Sequence, residues 1–91
     1  MADRGAIRRA VAQHGGIDRP IDRIGDEDDL YSLGMTSHAA VGVMLAVEDE
    51  LGLEMPDELL VRATFRSIAA IDEAIDRAAG LARGPGDGAG T

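Results

Sequence analysis

The sequence predicts an all-α fold, a four-helix bundle with a short third helix and a long first loop. Apolar residues recur at helical spacing in several segments, and no segment shows the alternation that marks a half-buried strand. The 91 residues are enough for one compact domain. Hydrophobic residues make up 45% of the chain but aromatic residues only 2%, so the core must be built mainly from aliphatic side chains.

The first helix is predicted over residues 3–14, with Asp3 as its N-cap and Gly15 as its stop. A long connection follows over residues 17–36, because Pro20, two glycines and an acidic run resist regular structure. We expect this connection to pack against the helices, since apolar residues are spread along it. These anchors are Ile17, Ile21, Ile24, Leu30, Tyr31 and Leu33.

The second helix is predicted over residues 37–51. Thr36 offers a side-chain oxygen that can cap its first turn, and Gly52 is well placed to end it. Ser37 is therefore the first residue of this helix.

A short third helix is predicted over residues 57–62, and Thr64 is the predicted N-cap of a last helix that frays near Ala79. The domain boundaries that follow are a helical bundle over residues 1–79 and a flexible glycine-rich tail over residues 80–91. One apolar stripe marks the last helix: Phe65, Ile68, Ile71 and Ile75.

The charge of the chain excludes several classes of partner. The net charge is -8 and the chain contains no lysine, so nucleic acid and anionic membranes are unfavourable partners and basic protein surfaces are favourable ones.

The chain has no cysteine and therefore no disulfide, thiolate nucleophile or cysteine-bound metal. Residues 1–10 carry too many charges for a signal peptide or a membrane span. We expect a cytoplasmic monomer.

The most informative stretch is residues 29–38, which read Asp-Leu-Tyr-Ser-Leu-Gly-Met-Thr-Ser-His. This pattern resembles the acyl and peptidyl carrier protein family, whose signature is a Leu-Gly turn, a short gap and a serine that opens the second helix. The similarity extends from about Ile7 to Ile75 and includes the downstream Pro56-Asp57 pair. The resemblance implies that Ser37 receives a 4'-phosphopantetheine arm from coenzyme A and that the protein carries acyl groups and catalyses nothing itself.

Elementary physical chemistry agrees with this resemblance. A phosphodiester on Ser37 would lie against the unpaired N–H groups and the positive dipole end of the second helix. Gly34 permits a sharp turn just before it. The arm would also supply the thiol that the sequence lacks.

The residues on either side of Ser37 differ from those of most carrier proteins, and this difference narrows the resemblance to a subgroup of the family. Most carriers have Asp before the modified serine and Leu after it, whereas this chain has Thr36 and His38. These departures resemble the aminoacyl carrier proteins charged by ligases related to seryl-tRNA synthetases, as do the 29–31, 43–45 and 56–62 segments and the Phe65-x-Ser67-Ile68 motif. The resemblance implies a small amino acid as cargo, held as a thioester. The implied partners are a phosphopantetheinyl transferase, an acyl or amino acid:carrier protein ligase and downstream biosynthetic enzymes.

In the carrier family the exposed face of the second helix docks onto basic patches of partner enzymes. Acidic residues cluster near the end of this helix, and their charge would speed association in a salt-sensitive way. The resemblance therefore implies a set of docking residues: Thr36, His38, Val41, Gly42, Leu45, Glu48 and Asp49.

Other interpretations remain open from the sequence. A fatty-acid or polyketide-type acyl carrier would share the motif, and an unmodified helical interaction module would share the acidic face.

A hydrolase would need His38 or His14 as the base for Ser37, but adjacent helical side chains diverge and the G-x-S-x-G spacing is missing. A calcium loop at residues 26–37 lacks the required glycine and glutamate, so a solvated acidic loop is the better interpretation.

Overall fold

The computed structural model describes residues 4–83 of the chain. Within that range α1 spans Arg4–His14, α2 spans Ser37–Leu51 and α3 spans Ile68–Arg83. Residues 4–83 contain no β-strand, and none of their helices has the length and apolar character needed to cross a bilayer. Three short 3-10 turns connect the helices: Ile21–Arg23, Asp57–Leu59 and Arg62–Phe65.

The predicted count of four helices is not confirmed, because residues 4–83 hold three α-helices and the third helix expected over residues 57–62 does not form. The Leu59 N–H donates to the Pro56 carbonyl oxygen at 2.9 Å, the three-residue spacing of a 3-10 turn. Leu60 then leaves the helical region with ψ 62°. The segment buries Leu59 but leaves Leu60 and Val61 exposed, so it has no apolar stripe to offset the cost of starting an α-helix.

The N-cap of the last helix also differs from the prediction. Thr64 is buried inside a 3-10 turn and caps nothing, whereas the Ser67 hydroxyl oxygen accepts a hydrogen bond from the Ala70 N–H at 3.0 Å. Helix α3 therefore begins at Ile68.

Helix α3 runs to Arg83, past the end expected near Ala79. The proposed N-cap Asp3 and residues 84–91 of the proposed tail lie outside the described residues. The boundary between a bundle over residues 1–79 and a tail over residues 80–91 stays a prediction.

Both caps of α2 match the prediction. The Thr36 Oγ1 atom accepts a hydrogen bond from the Ala39 N–H at 3.0 Å. At the other end Gly52 has φ 63°, the left-handed conformation that glycine adopts without a steric penalty, and its N–H donates to the Glu48 carbonyl oxygen. The position of Ser37 in the first turn of α2 is thus fixed by local chemistry.

The long connection packs against the helices as predicted. Ile24 and Leu30 are buried in the same core as the helices, together with Met35. The Leu30 N–H also donates to the Arg66 carbonyl oxygen at 2.7 Å, which ties the loop to the segment before α3. The largest fully buried side chains come from all three helices and this loop: Ile7, Val11, Leu30, Val43, Ile68 and Ile71.

An ionic network joins α1, the loop and α3. Arg4 pairs with Asp26 at 2.6 Å and with Asp72, and Arg8 pairs with Asp26. Arg8 also donates to the Ile21 carbonyl oxygen at 3.0 Å. Hydrogen bonds from Arg8 and Arg4 hold the pKa of Asp26 below its ordinary value. The network fastens the loop that leads to Ser37.

Candidate functional site

Ser37 is exposed at the start of α2, and the chain before it is held to the core. Gly34 has φ 117°, a conformation that side-chain-bearing residues rarely adopt, and it provides the turn. The following residue, Met35, is buried and donates its N–H to the Leu30 carbonyl oxygen at 3.0 Å. Because Leu30 is fully buried, this hydrogen bond ties the turn before Ser37 to the core, while Ser37 itself is exposed.

The serine and threonine hydroxyls of residues 4–83 differ in their exposure to solvent and in the hydrogen bonds that they already make. Thr64 and Ser67 are buried. The Thr36 oxygen accepts the capping hydrogen bond of α2, and the Ser32 hydroxyl bonds to a carboxylate of its own loop. Ser37 combines an exposed position with a hydrogen bond to a cationic side chain.

That cation is Arg62, which reaches Ser37 from the second 3-10 turn of the 57–65 segment. Its Nη1 donates to the Ser37 Oγ at 3.3 Å. Its guanidinium carbon lies 3.8 Å from the centroid of the Tyr31 ring, within the range of a cation–π interaction. The Tyr31 hydroxyl in turn donates to the Arg62 carbonyl oxygen at 3.1 Å. Tyr31 therefore holds both the backbone and the side chain of Arg62.

Asp29 organises the turn that carries Tyr31. Its Oδ1 accepts hydrogen bonds from the Tyr31 N–H at 3.0 Å and the Ser32 N–H at 3.3 Å. Burial acts to raise the pKa of Asp29, but the hydrogen bonds from Ser32 and Tyr31 and the charge of Arg66 outweigh it, and the pKa is lowered. Burial also raises the pKa of Tyr31, against the opposing charge of Arg62. At neutral pH this leaves an ionised carboxylate and a neutral phenol.

A groove of about 240 Å³ opens beside the Ser37 hydroxyl. Ser37 and Arg62 lie on its wall, and the rest of the lining is mostly apolar. Such a groove can receive an uncharged, flexible chain that begins at Ser37. Its apolar lining includes Val41, Met44, Leu60, Val61 and Phe65.

Four of the predicted docking residues share one exposed stripe of α2. His38, Val41, Leu45 and Asp49 are three or four positions apart and are all exposed. The exposed fractions of Val41 and Leu45, 50% and 56%, are high for apolar side chains. Two adjacent apolar residues at the centre of an exposed helical stripe are a feature of contact surfaces.

The remaining predicted docking residues have contacts within the chain. Thr36 is exposed, but its oxygen caps α2. The Glu48 Oε2 accepts a hydrogen bond from the Met55 N–H at 2.8 Å, so this carboxylate fixes the turn after α2. Gly42 faces the end of α1, where an added Cβ would lie 3.5 Å from the His14 Cβ. That distance is an ordinary van der Waals contact, so the space there does not require glycine.

Three residues beside the site were not predicted from the sequence to be site residues. Leu60 and Val61 are exposed, with Val61 at 52%, and extend the apolar surface next to Val41. Arg62 contacts Ser37 directly. The sequence offered one signal for the first two, adjacent apolar residues in a segment too short for an amphipathic helix. Arg62 belongs to a segment that supports the aminoacyl carrier resemblance, but nothing in the sequence indicated its contact with Ser37.

The site fits a phosphopantetheine group. An exposed hydroxyl can be esterified, the adjacent guanidinium complements a phosphate, and the groove suits an uncharged pantetheine chain. This fit rests on the donor set and on the shape of the surface around Ser37.

Comparisons with known proteins agree with this fit. The family model described as a phosphopantetheine attachment site matches residues 6–75. An aminoacyl carrier protein of Agrobacterium fabrum is 44% identical over 69 residues, which are 76% of this chain and 83% of the relative.

Two crystal structures are also similar. Both show an engineered glycine:[carrier protein] ligase of Bradyrhizobium japonicum complexed with a carrier protein from Agrobacterium tumefaciens, one with ATP and one with AMP. The match in each is 40% identical and covers 81% of this chain. It covers 96% of the matched chain in the ATP complex, with a TM-score of 0.78, and 99% in the AMP complex, with a TM-score of 0.79.

The fold is therefore that of the acyl carrier proteins, and the relatives are carriers and not hydrolases. The family match covers well over half of the chain, and it includes the exposed serine, the helix that Thr36 caps and the segment that bears Arg62. The chain belongs to the phosphopantetheine-attachment family and is a carrier protein whose prosthetic group is 4'-phosphopantetheine.

Proposed function

We propose that Ser37 carries the prosthetic arm and that the arm holds a small amino acid as a thioester for delivery to partner enzymes. We choose Ser37 because its hydroxyl is exposed in the first turn of α2 and is hydrogen-bonded to Arg62. The other serine and threonine hydroxyls of residues 4–83 are buried or serve the turn and the cap.

Residues around Ser37 support a phosphodiester at this position. The first N–H groups of a helix have no partner within the helix, and the positive end of the helix dipole favours an anion. Thr36 satisfies one of these groups, that of Ala39, and keeps the first turn intact. When attached, the arm supplies the terminal thiol that the chain, which has no cysteine, lacks.

The cargo is proposed from the relatives. A protein 44% identical is described as an aminoacyl carrier protein, and the solved complexes pair a carrier protein with a glycine ligase. We infer that an amino acid:carrier protein ligase loads this chain and that glycine or another small amino acid is the substrate. A fatty-acid or polyketide-type acyl group is the alternative cargo.

The exposed stripe of His38, Val41, Leu45 and Asp49 is the proposed docking surface for the transferase, the ligase and the enzymes that accept the cargo. Its apolar centre would be buried on binding, and the acidic residues around it would attract a basic partner surface. Because these proposed contacts lie on α2 beside Ser37, the arm would extend directly into the partner.

The first test is attachment. The purified chain is incubated with coenzyme A and a broad-specificity phosphopantetheinyl transferase, and the intact mass is measured. The wild type and Ser32→Ala, a matched control that also removes an exposed serine, should both gain one phosphopantetheine. Ser37→Ala should gain none. Modification of Ser37→Ala would refute the assignment of Ser37 and place the arm on another residue. No modification of the wild type would favour an unmodified interaction module.

The second test is loading. The modified protein is offered to an amino acid:carrier protein ligase with ATP and a panel of amino acids, and to an acyl ligase with fatty acids. Mass spectrometry then reads the thioester. Loading with glycine or another small amino acid is expected, and exclusive loading with a long acyl chain would contradict the proposed cargo.

A further inference from the structure

We propose that Arg62 is the binding residue for the phosphodiester of the arm and that Tyr31 holds it in position for that role. The inference rests on the proposed attachment at Ser37. The Arg62 Nη1 lies 3.3 Å from the Ser37 Oγ, the atom that would be bonded to phosphorus. The free oxygens of the phosphate project beyond Oγ, so a small rotation of the arginine side chain brings its N–H groups to them.

The chemistry of arginine suits this contact. The guanidinium presents five N–H donors in a planar fork that matches the oxygens of a phosphate. A serine hydroxyl uses one of these donors, and at 3.3 Å the hydrogen bond is long. A charged phosphate in the same place would accept shorter, charge-assisted hydrogen bonds from the same side chain.

Tyr31 reduces the conformational freedom that Arg62 would lose on binding. Its ring lies under the guanidinium at 3.8 Å, and its hydroxyl holds the Arg62 carbonyl oxygen at 3.1 Å. A long arginine side chain is costly to order, so one already held against a ring binds an anion at a smaller entropic cost. The backbone of Tyr31 is held in turn by Asp29, whose Oδ1 accepts a hydrogen bond from the Tyr31 N–H at 3.0 Å.

The surrounding charges leave Arg62 available for an anionic ligand. In the part of the chain that the structure describes, no carboxylate lies within salt-bridge distance of Arg62. The nearest acidic residue of the turn, Asp29, is instead 3.5 Å from the Arg66 guanidinium. Arg62 contacts a neutral serine and a neutral phenol, although the chain as a whole has a net charge of -8. Within residues 4–83 its positive charge is therefore free to pair with a phosphate.

The test uses the modified protein and compares Arg62→Gln with Arg66→Gln. Both variants remove one exposed arginine charge within the same cleft, which Asp29, Tyr31, Arg62, Ala63 and Arg66 line, but only the first removes the contact to Ser37. The readouts are the ³¹P resonance of the arm and the guanidinium ¹⁵N resonances. Mass spectrometry confirms the modification of every variant, and amide NMR spectra confirm its fold.

In the wild type, modification should shift the Arg62 guanidinium resonances, and the ³¹P resonance should differ from that of the phosphodiester in the unfolded protein. Arg62→Gln should lose most of this difference, and Arg66→Gln should retain it. Tyr31→Leu should lose part of it because the guanidinium is no longer held, whereas Tyr31→Phe, which keeps the ring, should lose less. Arg62→Lys provides a second variant and should give an intermediate shift.

The outcomes separate the two proposals. If the wild type is not modified at Ser37, the proposed function fails. If it is modified but the ³¹P resonance is the same in the wild type, Arg62→Gln and Arg62→Lys, then attachment stands and the role of Arg62 is refuted. An equal change in Arg62→Gln and Arg66→Gln would also refute it, since net charge alone would then explain the shift.

Discussion

Replacement of Thr36 by alanine should loosen the first turn of α2. The variant loses one hydrogen bond, that from the Ala39 N–H to the Thr36 Oγ1 at 3.0 Å. Loss of such an N-cap costs about 1 kcal/mol, within a range of about 0.5–2 kcal/mol. For a domain of this size, about 1 kcal/mol lowers the melting temperature by roughly 4–8 °C.

Circular dichroism during thermal and urea unfolding measures this effect. Thr36→Ser is the matched control, because it keeps the capping oxygen and should unfold close to the wild type. Thr36→Asp should also cap the helix and adds a negative charge that the helix dipole favours.

A local readout complements the global one. If the opening of the first turn accounts for the whole loss, the Ala39 amide should exchange its hydrogen about fivefold faster in Thr36→Ala, the factor that corresponds to about 1 kcal/mol. Equal unfolding midpoints for Thr36→Ala and Thr36→Ser would show that the capping hydrogen bond does not stabilise α2.

Three further predictions concern the core, the ionic network and the docking surface. Leu30→Ala should lower the free energy of unfolding by about 2–5 kcal/mol, since Leu30 is fully buried, whereas Leu60→Ala at an exposed position should cost far less; urea unfolding compares them. Arg8 and Arg4 lower the pKa of Asp26 from 3.8, so the carboxylate stabilises the fold above about pH 4, and this stabilisation is lost as pH falls through the folded-state pKa. Asp26→Asn should therefore unfold more easily than the wild type at pH 7. Urea titrations at several pH values should show that the difference disappears in acid. Leu45→Asp should leave the fold intact, because the side chain is 56% exposed, but should raise the KM of the ligase for the modified protein, and unchanged KM would argue against the proposed docking stripe.

Features of the fold that depend on neighbouring residues were predictable from the sequence. Thr36 and Gly52 bound α2 where expected, because an N-cap hydrogen bond and a left-handed C-cap involve residues within a turn of each other. The packing of the long loop followed from its spaced apolar residues, and Leu30 is indeed buried. Local propensity and hydrophobic spacing were sufficient in these places.

The region between α2 and α3 was less predictable. Residues 57–62 have a proline before them and residues compatible with a helix, yet tertiary packing buries Leu59 alone and two 3-10 turns form. The hydroxyl of Ser67, and not that of Thr64, caps α3. Thr64 lies inside the Arg62–Phe65 3-10 turn, so α3 begins only after that turn and the residue before Ile68 becomes its cap.

The candidate site was predictable at its serine and not at its arginine. Ser37 follows a Leu-Gly turn and opens a capped helix, which is a local pattern. The contact from Arg62 joins residues 25 positions apart and depends on how the 57–65 segment crosses Tyr31. No spacing rule in the sequence specifies that crossing.

The stacked Tyr31 gives the protein a built-in optical reporter. The chain has one tyrosine and no tryptophan, so its near-ultraviolet emission comes from this ring. Because the ring touches the guanidinium that contacts Ser37, a rearrangement of that cation should change the brightness of the fluorophore. Attachment of the arm at Ser37 would then be followed in real time without a label.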